Sequence, residues 1–443
     1  MNRIVAIALL GLSLRLAMTG AGVGPPVADM AQYHERAVYL REHQAFGPDA
    51  LRGPGYPALL AVAYATLGES TWAALVANAL VGGLLVLASG LLARACGAGD
   101  RAWVASAIVA VYPGFLLSTL YVMSDTFYTL LAVTCLLLAI ATRATRIAAL
   151  AAGGVLGAAL LVRSAGLVLV PAVGVAWALA LARRQVSWTT LAAKVVFAGV
   201  ACAAVLTPWL LFTSRVTGRP VLDTTSGYNA LIGANPRATG RLELQDGQWI
   251  VETYMLGAAS IADAELQGVR AAARWAREHP GRWLRLGVAK VAYLWGLEGR
   301  EHIGGYSHGY LGEHEGAVVL AWGIAVLVSF PLVVAAALAG AVAAPGAWTP
   351  IRAAIAAMIV VTSALHVLTF GESRFHLPLV PLMAAFAPLA WPVSRSHLTL
   401  VRTVPAIVVG LLLAWTWAAQ VPGLWQRLDA IRQPGGSALY LDY

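Results

Sequence analysis

The chain has 443 residues, of which 59% are hydrophobic and only 12% charged, and its mean hydropathy is +0.73. That balance excludes an ordinary soluble domain and an intrinsically disordered chain alike. A net charge of +9 could suit nucleic acid, but Lys and Arg sit at the ends of apolar runs and in a few loops, where they act as topology signals and anion contacts, so no nucleic-acid partner is expected. Cys96, Cys135 and Cys202 stand alone without ligand spacing, which argues against disulfides and zinc fingers.

In chain order, Met1-Asn2-Arg3 precedes an apolar run, and because many further spans follow, an uncleaved first span is expected rather than a removed leader. Apolar runs long enough for a bilayer recur near Leu10, Leu80, Val111, Leu131, Leu156, Val175, Val200, Leu327, Ile359, Met383 and Val409. Membrane-spanning length needs about 20 residues, which predicts about eleven helices, with a range of roughly 10 to 13. The fold class expected is an all-α integral membrane bundle. A barrel would alternate apolar and polar residues, whereas residues 71–93 are apolar on every face.

Arg94 with Arg101, Arg143 with Arg146, Arg183 with Arg184, Arg352, and Arg395 with Arg402 fall in every second short connection, which predicts a cytoplasmic face there. The opposite face then receives the turns near Tyr121 and Glu372 and two long loops, residues 20–57 and 213–316. Within them, Gly-Pro-Gly-Tyr-Pro at 53–57 and Gly-Ala-Asn-Pro at 233–236 read as turns. Residues 263–278 read as a surface helix stopped by Pro280, and 283–297 as an interfacial helix. Without repeats or a separable soluble part, residues 1–443 read as one membrane domain.

Charged groups near hydrocarbon are costly, so those at span ends are candidates for chemistry. Asp29 and Tyr33 share a helix face at i, i+4. Asp125 precedes an apolar run, where an acidic residue also serves as a helix cap, and the two roles are compatible. Two carboxylates meeting in one outer pocket suit displacement at a sugar carbon, one deprotonating the incoming hydroxyl and the other orienting it or a metal. A phosphate leaving group calls for fixed cations, for which arginine supplies a planar fork. Arg52, Arg163 and Arg374 fit that demand, with headgroup snorkelling as the alternative for each. Arg374 shares a short turn with Glu372 and His376, held by Pro378 and Pro381.

Taken in order, Asp29 with Tyr33, Arg52-Gly53-Pro54-Gly55-Tyr56-Pro57, Ser124-Asp125, Pro208-Trp209, Gly227-Tyr228-Asn229, Gly233-Ala234-Asn235-Pro236, His279-Pro280 and Arg374-Phe375-His376-Leu377-Pro378 form a set that resembles the bacterial branch of GT-C glycosyltransferases. The set is similar to dolichyl-phosphate-mannose protein mannosyltransferases and to the lipid A aminoarabinose transferase. What the resemblance implies is a GT-C bundle in a bacterial inner membrane, a polyprenyl-phosphate-linked sugar as donor, an active site on the extracytoplasmic face and inversion at the anomeric carbon. It further implies Asp29 as catalytic base, Asp125 as the second acid, and Arg374 as a contact to the carrier phosphate. The chain lacks a MIR insert and a large soluble C-terminal domain, so the acceptor, a glycan, lipid or protein hydroxyl, is not inherited.

Tyr228 suits stacking on a sugar, and Asn229 and Asn235 suit hydrogen bonds to it, although Asn before Pro236 is equally a turn residue. Tyr33, Arg52, Tyr56, Arg163, Glu372, Arg374 and His376 complete the expected substrate contacts. His302, His308 and His314, interleaved with Glu298, Glu301, Glu313 and Glu315, match no tight ligand pattern and read as a solvated loop, leaving a divalent cation an open question. His366 reads as a packed, hydrogen-bonded histidine. Two other classes combine many spans with outer loops. In an O-antigen ligase or polymerase the Asp29–Tyr33 element would have no role. A flippase or transporter would place its charges near the midplane on inverted repeats.

Overall fold

A computed structural model of the chain describes residues 1–141, 145–243, 246–312, 314–391 and 399–433. Arg143, Glu313 and Arg395 lie outside the described residues, within which the fold is helical with no strand. The chain opens with α1 (Asn2–Met18), α2 (Asp29–His43), α3 (Gly55–Leu67) and α4 (Thr71–Ala95). Next come α5 (Trp103–Val111) and α6 (Pro113–Leu120), then α7 (Asp125–Ile140), α8 (Thr145–Val162), α9 (Leu169–Ala182) and α10 (Trp188–Thr217). The long polar segment folds as α11 (Ser226–Ile232), α12 (Gly247–Tyr254), α13 (Ile261–Glu278), α14 (Pro280–Leu294) and α15 (Arg300–Ser307). Four more helices close the fold: α16 (Gly316–Ala343), α17 (Pro350–Leu368), α18 (Val380–Ala384) and α19 (Leu400–Arg432).

Local chemistry sets the helix starts. Ser70, Ser187, Ser260 and Thr349 cap α4, α10, α13 and α17, each side chain accepting from an amide of the first turn. Pro280 and Pro350 occupy the first helical position, where a missing N–H costs nothing. As expected, the surface helix α13 stops short of Pro280, ending at Glu278 with His279 as its cap.

Among the described residues six helices are long and apolar enough to span a bilayer, or up to seven if α5 and α6, bent by 48° at Tyr112-Pro113, are one broken span. Eleven crossings are therefore not reached by this measure. α3, α7 and α8 are apolar but shorter than a full span, and the run around Met383 is broken by prolines into α18 and flanking 3-10 turns. No residue in the apolar window of α19 is fully buried: one face packs on α16 and the other is left for lipid. The bundle core is built by α1 against α4 and α5, α4 against α7, α7 against α8, and α9 against α17. α8 and α10 approach most intimately, because Gly153 and Gly157 of α8 leave no room for a Cβ beside Ala198, Cys202 and Val205.

Arg15 is a fully buried cation in the first apolar helix. Pro113 has no N–H to give the carbonyl of Val109, and the bend withdraws the donor that Ala110 would otherwise meet. Arg15 replaces both: its Nη1 donates to Ala110 O and Gly11 O and its Nη2 to Val109 O, each at 3.0 Å. A positive charge at the C-terminal end of α5 is also favoured by the peptide dipoles there. Arg15→Met should therefore lower stability by about 2–4 kcal/mol, the cost of two buried carbonyls left unpaired. An unchanged unfolding midpoint in detergent would refute this capping role.

Of the basic residues expected on one side of the membrane, Arg101, Arg352 and Arg402 share one end of the bundle. Arg352 donates to Cys96 O and Pro345 O, Arg402 to Ala344 O and Gly346 O, and Arg101 to Trp391 O. Arg352 stands at the start of α17, whereas the turn bearing Arg374 follows its other end.

Candidate active site

Asp29 is the first residue of α2, and the residue before it, Ala28, has φ 48° and ψ −123°. An alanine held at positive φ stores of order 1–3 kcal/mol of strain, which clusters where a side chain must be aimed. Asp29 Oδ1 accepts from Arg52 Nη2 at 2.5 Å, while Arg52 Nε donates to Gln32 Oε1 at 3.0 Å and the guanidinium lies 5.2 Å from the Tyr33 ring centroid. Residues 53–57 are thus more than a turn. Gly53 and Gly55 pass so close to the backbone of Leu161 and Val162 that neither could carry a side chain, and this approach sets Arg52 near Arg163 at the end of α8.

Asp125 is the first residue of α7 rather than its cap, and its side chain is 4% exposed. Its Oδ1 receives Arg163 Nη2 at 3.0 Å and Arg374 Nε at 3.3 Å. Ser124 ties this pair to α2: its Oγ accepts from Arg163 Nε at 2.9 Å and lies 3.1 Å from Tyr33 Oη. A continuous network therefore runs Asp29, Arg52, Tyr33, Ser124, Arg163, Asp125, Arg374, joining residues from five separate parts of the chain. Burial works against the charge of Arg374, but Asp125, Asp29 and Glu301 outweigh it and hold the guanidinium above its ordinary range.

Of this network Asp29, Asp125 and Arg374 line a cavity of about 270 Å³ together with Tyr121 and Tyr310, whereas Tyr33 and Arg52, expected as substrate contacts, stand behind Asp29 and do not line it. Glu298, Arg300, Glu301 and His302 line it too. The solvated-loop reading is corrected for the first part of that stretch, where Glu298 and His302 are 5% and 1% exposed, while His314 and Glu315 are exposed as expected. Glu298 Oε1 accepts from Tyr112 Oη at 2.6 Å and lies 2.8 Å from His376 Nε2, and His376 Nδ1 is 2.6 Å from Leu294 O. Burial pushes the Glu301 carboxyl up, opposed in part by Arg374 and Arg300. The signal that could have found both acids is their position directly after an amphipathic helix that folds back over the bundle.

The other expected contacts sit elsewhere. His376 is fully buried, stacked 3.5 Å from Phe330, and supports Glu298 without lining the cavity. Tyr56 is fully buried beneath Tyr33 and donates to Asn78 Oδ1 at 3.0 Å. Arg163 lies behind Asp125, and Glu372 pairs with Arg300 and accepts from Leu242 N at 3.3 Å. Tyr228, Asn229 and Asn235 belong to a second packed unit around α11 and α13 and do not line the cavity. Asn235 spends both ends locally, donating to Leu231 O at 2.8 Å and accepting from Arg237 N at 2.5 Å, which is the geometry of a turn residue. His366 is packed as expected, with Nδ1 2.9 Å from Phe370 O.

The chain is a helical membrane bundle with acidic and guanidinium side chains gathered in one cavity, and its fold is shared with solved membrane proteins. The chain aligns along 99% of its length with ArnT from Cupriavidus metallidurans bound to undecaprenyl phosphate, at TM-score 0.52 and 16% identity, covering 73% of that chain. It aligns along 100% of its length with the archaeal oligosaccharyltransferase AglB from Archaeoglobus fulgidus, in complex with an inhibitory peptide and a dolichol-phosphate, at TM-score 0.52 and 15% identity. The chain spans 56% of that second protein. Residues 31–217 match the family model described as dolichyl-phosphate-mannose-protein mannosyltransferase, a stretch that holds Arg52, Asp125 and Arg163 and begins two residues after Asp29. No curated protein matches by sequence. The comparisons thus show a shared fold along the chain and a family likeness confined to residues 31–217.

Proposed function

We propose that this protein transfers a sugar from a polyprenyl-phosphate donor to an extracytoplasmic hydroxyl on a glycan, lipid or protein, with inversion and with Asp29 as general base. The observation that carries this reading is the convergence of Asp29, Asp125 and Arg374 on one cavity within a GT-C fold. Asp29 would take the proton of the acceptor hydroxyl as its oxygen bonds to the anomeric carbon. The bond from that carbon to the carrier phosphate breaks, and the polyprenyl phosphate leaves with the electron pair. Arg374, which stays charged, would meet the developing phosphate charge, and Asp125 would hold Arg374 and Arg163 in place.

Arg52 has a specific part in this scheme. It occupies Asp29 in the structure, and an arriving phosphate offers it a stronger partner, so donor binding would release the base. The placing of Arg101, Arg352 and Arg402 at the opposite end of the bundle supports an extracytoplasmic cavity. Purified protein in liposomes with polyprenyl-phosphate sugars and envelope acceptors should release free polyprenyl phosphate in step with glycosylated acceptor. Lack of release across hexosyl and pentosyl donors would refute the reading.

A further inference from the structure

A second cavity, of about 340 Å³, lies beside the first, and Arg300 lines both. On the second side Arg300 is paired with Glu372, which also lines that cavity. Three guanidiniums reach this cavity from three parts of the chain: Arg241 from the segment after α11, Arg300 from α15 and Arg427 from the last turns of α19. Leu297, Ile303 and Leu424 form an apolar part of the wall, which Glu372, Ser373 and Gln420 complete with polar groups. One end thus suits an anion with several oxygens, and the other suits hydrocarbon. No residue in the apolar window of α19 is fully buried, so one face of the helix that ends at this cavity is open to lipid while the other packs on α16.

We propose that the second cavity binds the phosphate of an anionic lipid, its chain laid along the Leu297–Ile303–Leu424 wall and α19. Two lipids share this chemistry, a polyprenyl phosphate and an anionic phospholipid. Assigning the former as carrier in transit would rest on the transferase reading above; the binding itself does not. Because Arg300 reaches both spaces, an anion in the second draws Arg300 and with it reshapes the wall that carries Glu301.

The test is lipid stoichiometry by native mass spectrometry of the full chain, loaded with polyprenyl phosphate or with dioleoylphosphatidylglycerol, and with dioleoylphosphatidylcholine as a neutral control. Arg241→Gln/Arg427→Gln should lose one bound phosphate lipid per chain; loss of the polyprenyl phosphate alone identifies the carrier, and loss of phosphatidylglycerol identifies a phospholipid site. Leu424→Trp, which fills the apolar half and keeps every charge, should lose the same lipid, and it decides the matter if the arginine variant fails to fold. Unchanged stoichiometry for both lipids in a folded variant overturns the proposal. Intact lipid loading without sugar transfer would count against the transferase reading and leave the site standing.

Discussion

Asp29→Asn is expected to lower sugar transfer by about 10²–10⁴-fold, the usual contribution of a positioned general base, while leaving the protein folded. The substitution keeps size and polarity and removes only the capacity to take a proton. Its structural cost is small because the Asp29–Arg52 pair is partly exposed, with side chains at 39% and 25% exposure, and such pairs contribute about 0–1 kcal/mol. Donor affinity should be unchanged or tighter, since Arg52 would no longer be held by a carboxylate. Turnover of lipid-linked sugar by the variant at the unaltered rate would remove the base from the scheme.

Asp125→Ala is expected to reduce both activity and stability, the latter by about 3–5 kcal/mol. Here the carboxylate is 4% exposed and faces Arg163 and Arg374 at 3.0 and 3.3 Å, so its removal strands two guanidiniums without their anion. The double variant Asp125→Ala/Arg163→Leu removes one of those charges with its partner and should recover a good part of the stability without recovering transfer. Thermal unfolding in detergent beside a transfer assay separates the two effects. If Asp125→Ala unfolds at the original midpoint, the network is not what holds Arg374 in the cavity.

These contrasting outcomes follow from geometry that no single stretch of sequence contains. Hydropathy is a local property, summed over the residues that cross one bilayer, so a membrane bundle was legible from composition and run length. Counting spans was less secure, because an apolar run is only a potential helix and prolines at Pro113, Pro378 and Pro381 divide such runs. Asp29, Asp125 and Arg374 could be picked out for a similar local reason, each being an ionisable group beside hydrocarbon.

Tertiary packing decided what those groups touch. The pairing of Arg374 with Asp125 joins residues 249 positions apart, and Glu298 meets Tyr112 across 186. Glu298 and His302 look solvated in a charged stretch of sequence, yet α14 folds back and buries the segment that follows it against the bundle. Asn235 looks available to a ligand, yet its amide is consumed by its own turn. Sequence by itself determined the solvent of this protein and the identity of its costly charges, because both are read residue by residue. Which charges share a cavity was decided only by the fold, because pairing depends on distances that close-packed helices impose between segments far apart in the chain.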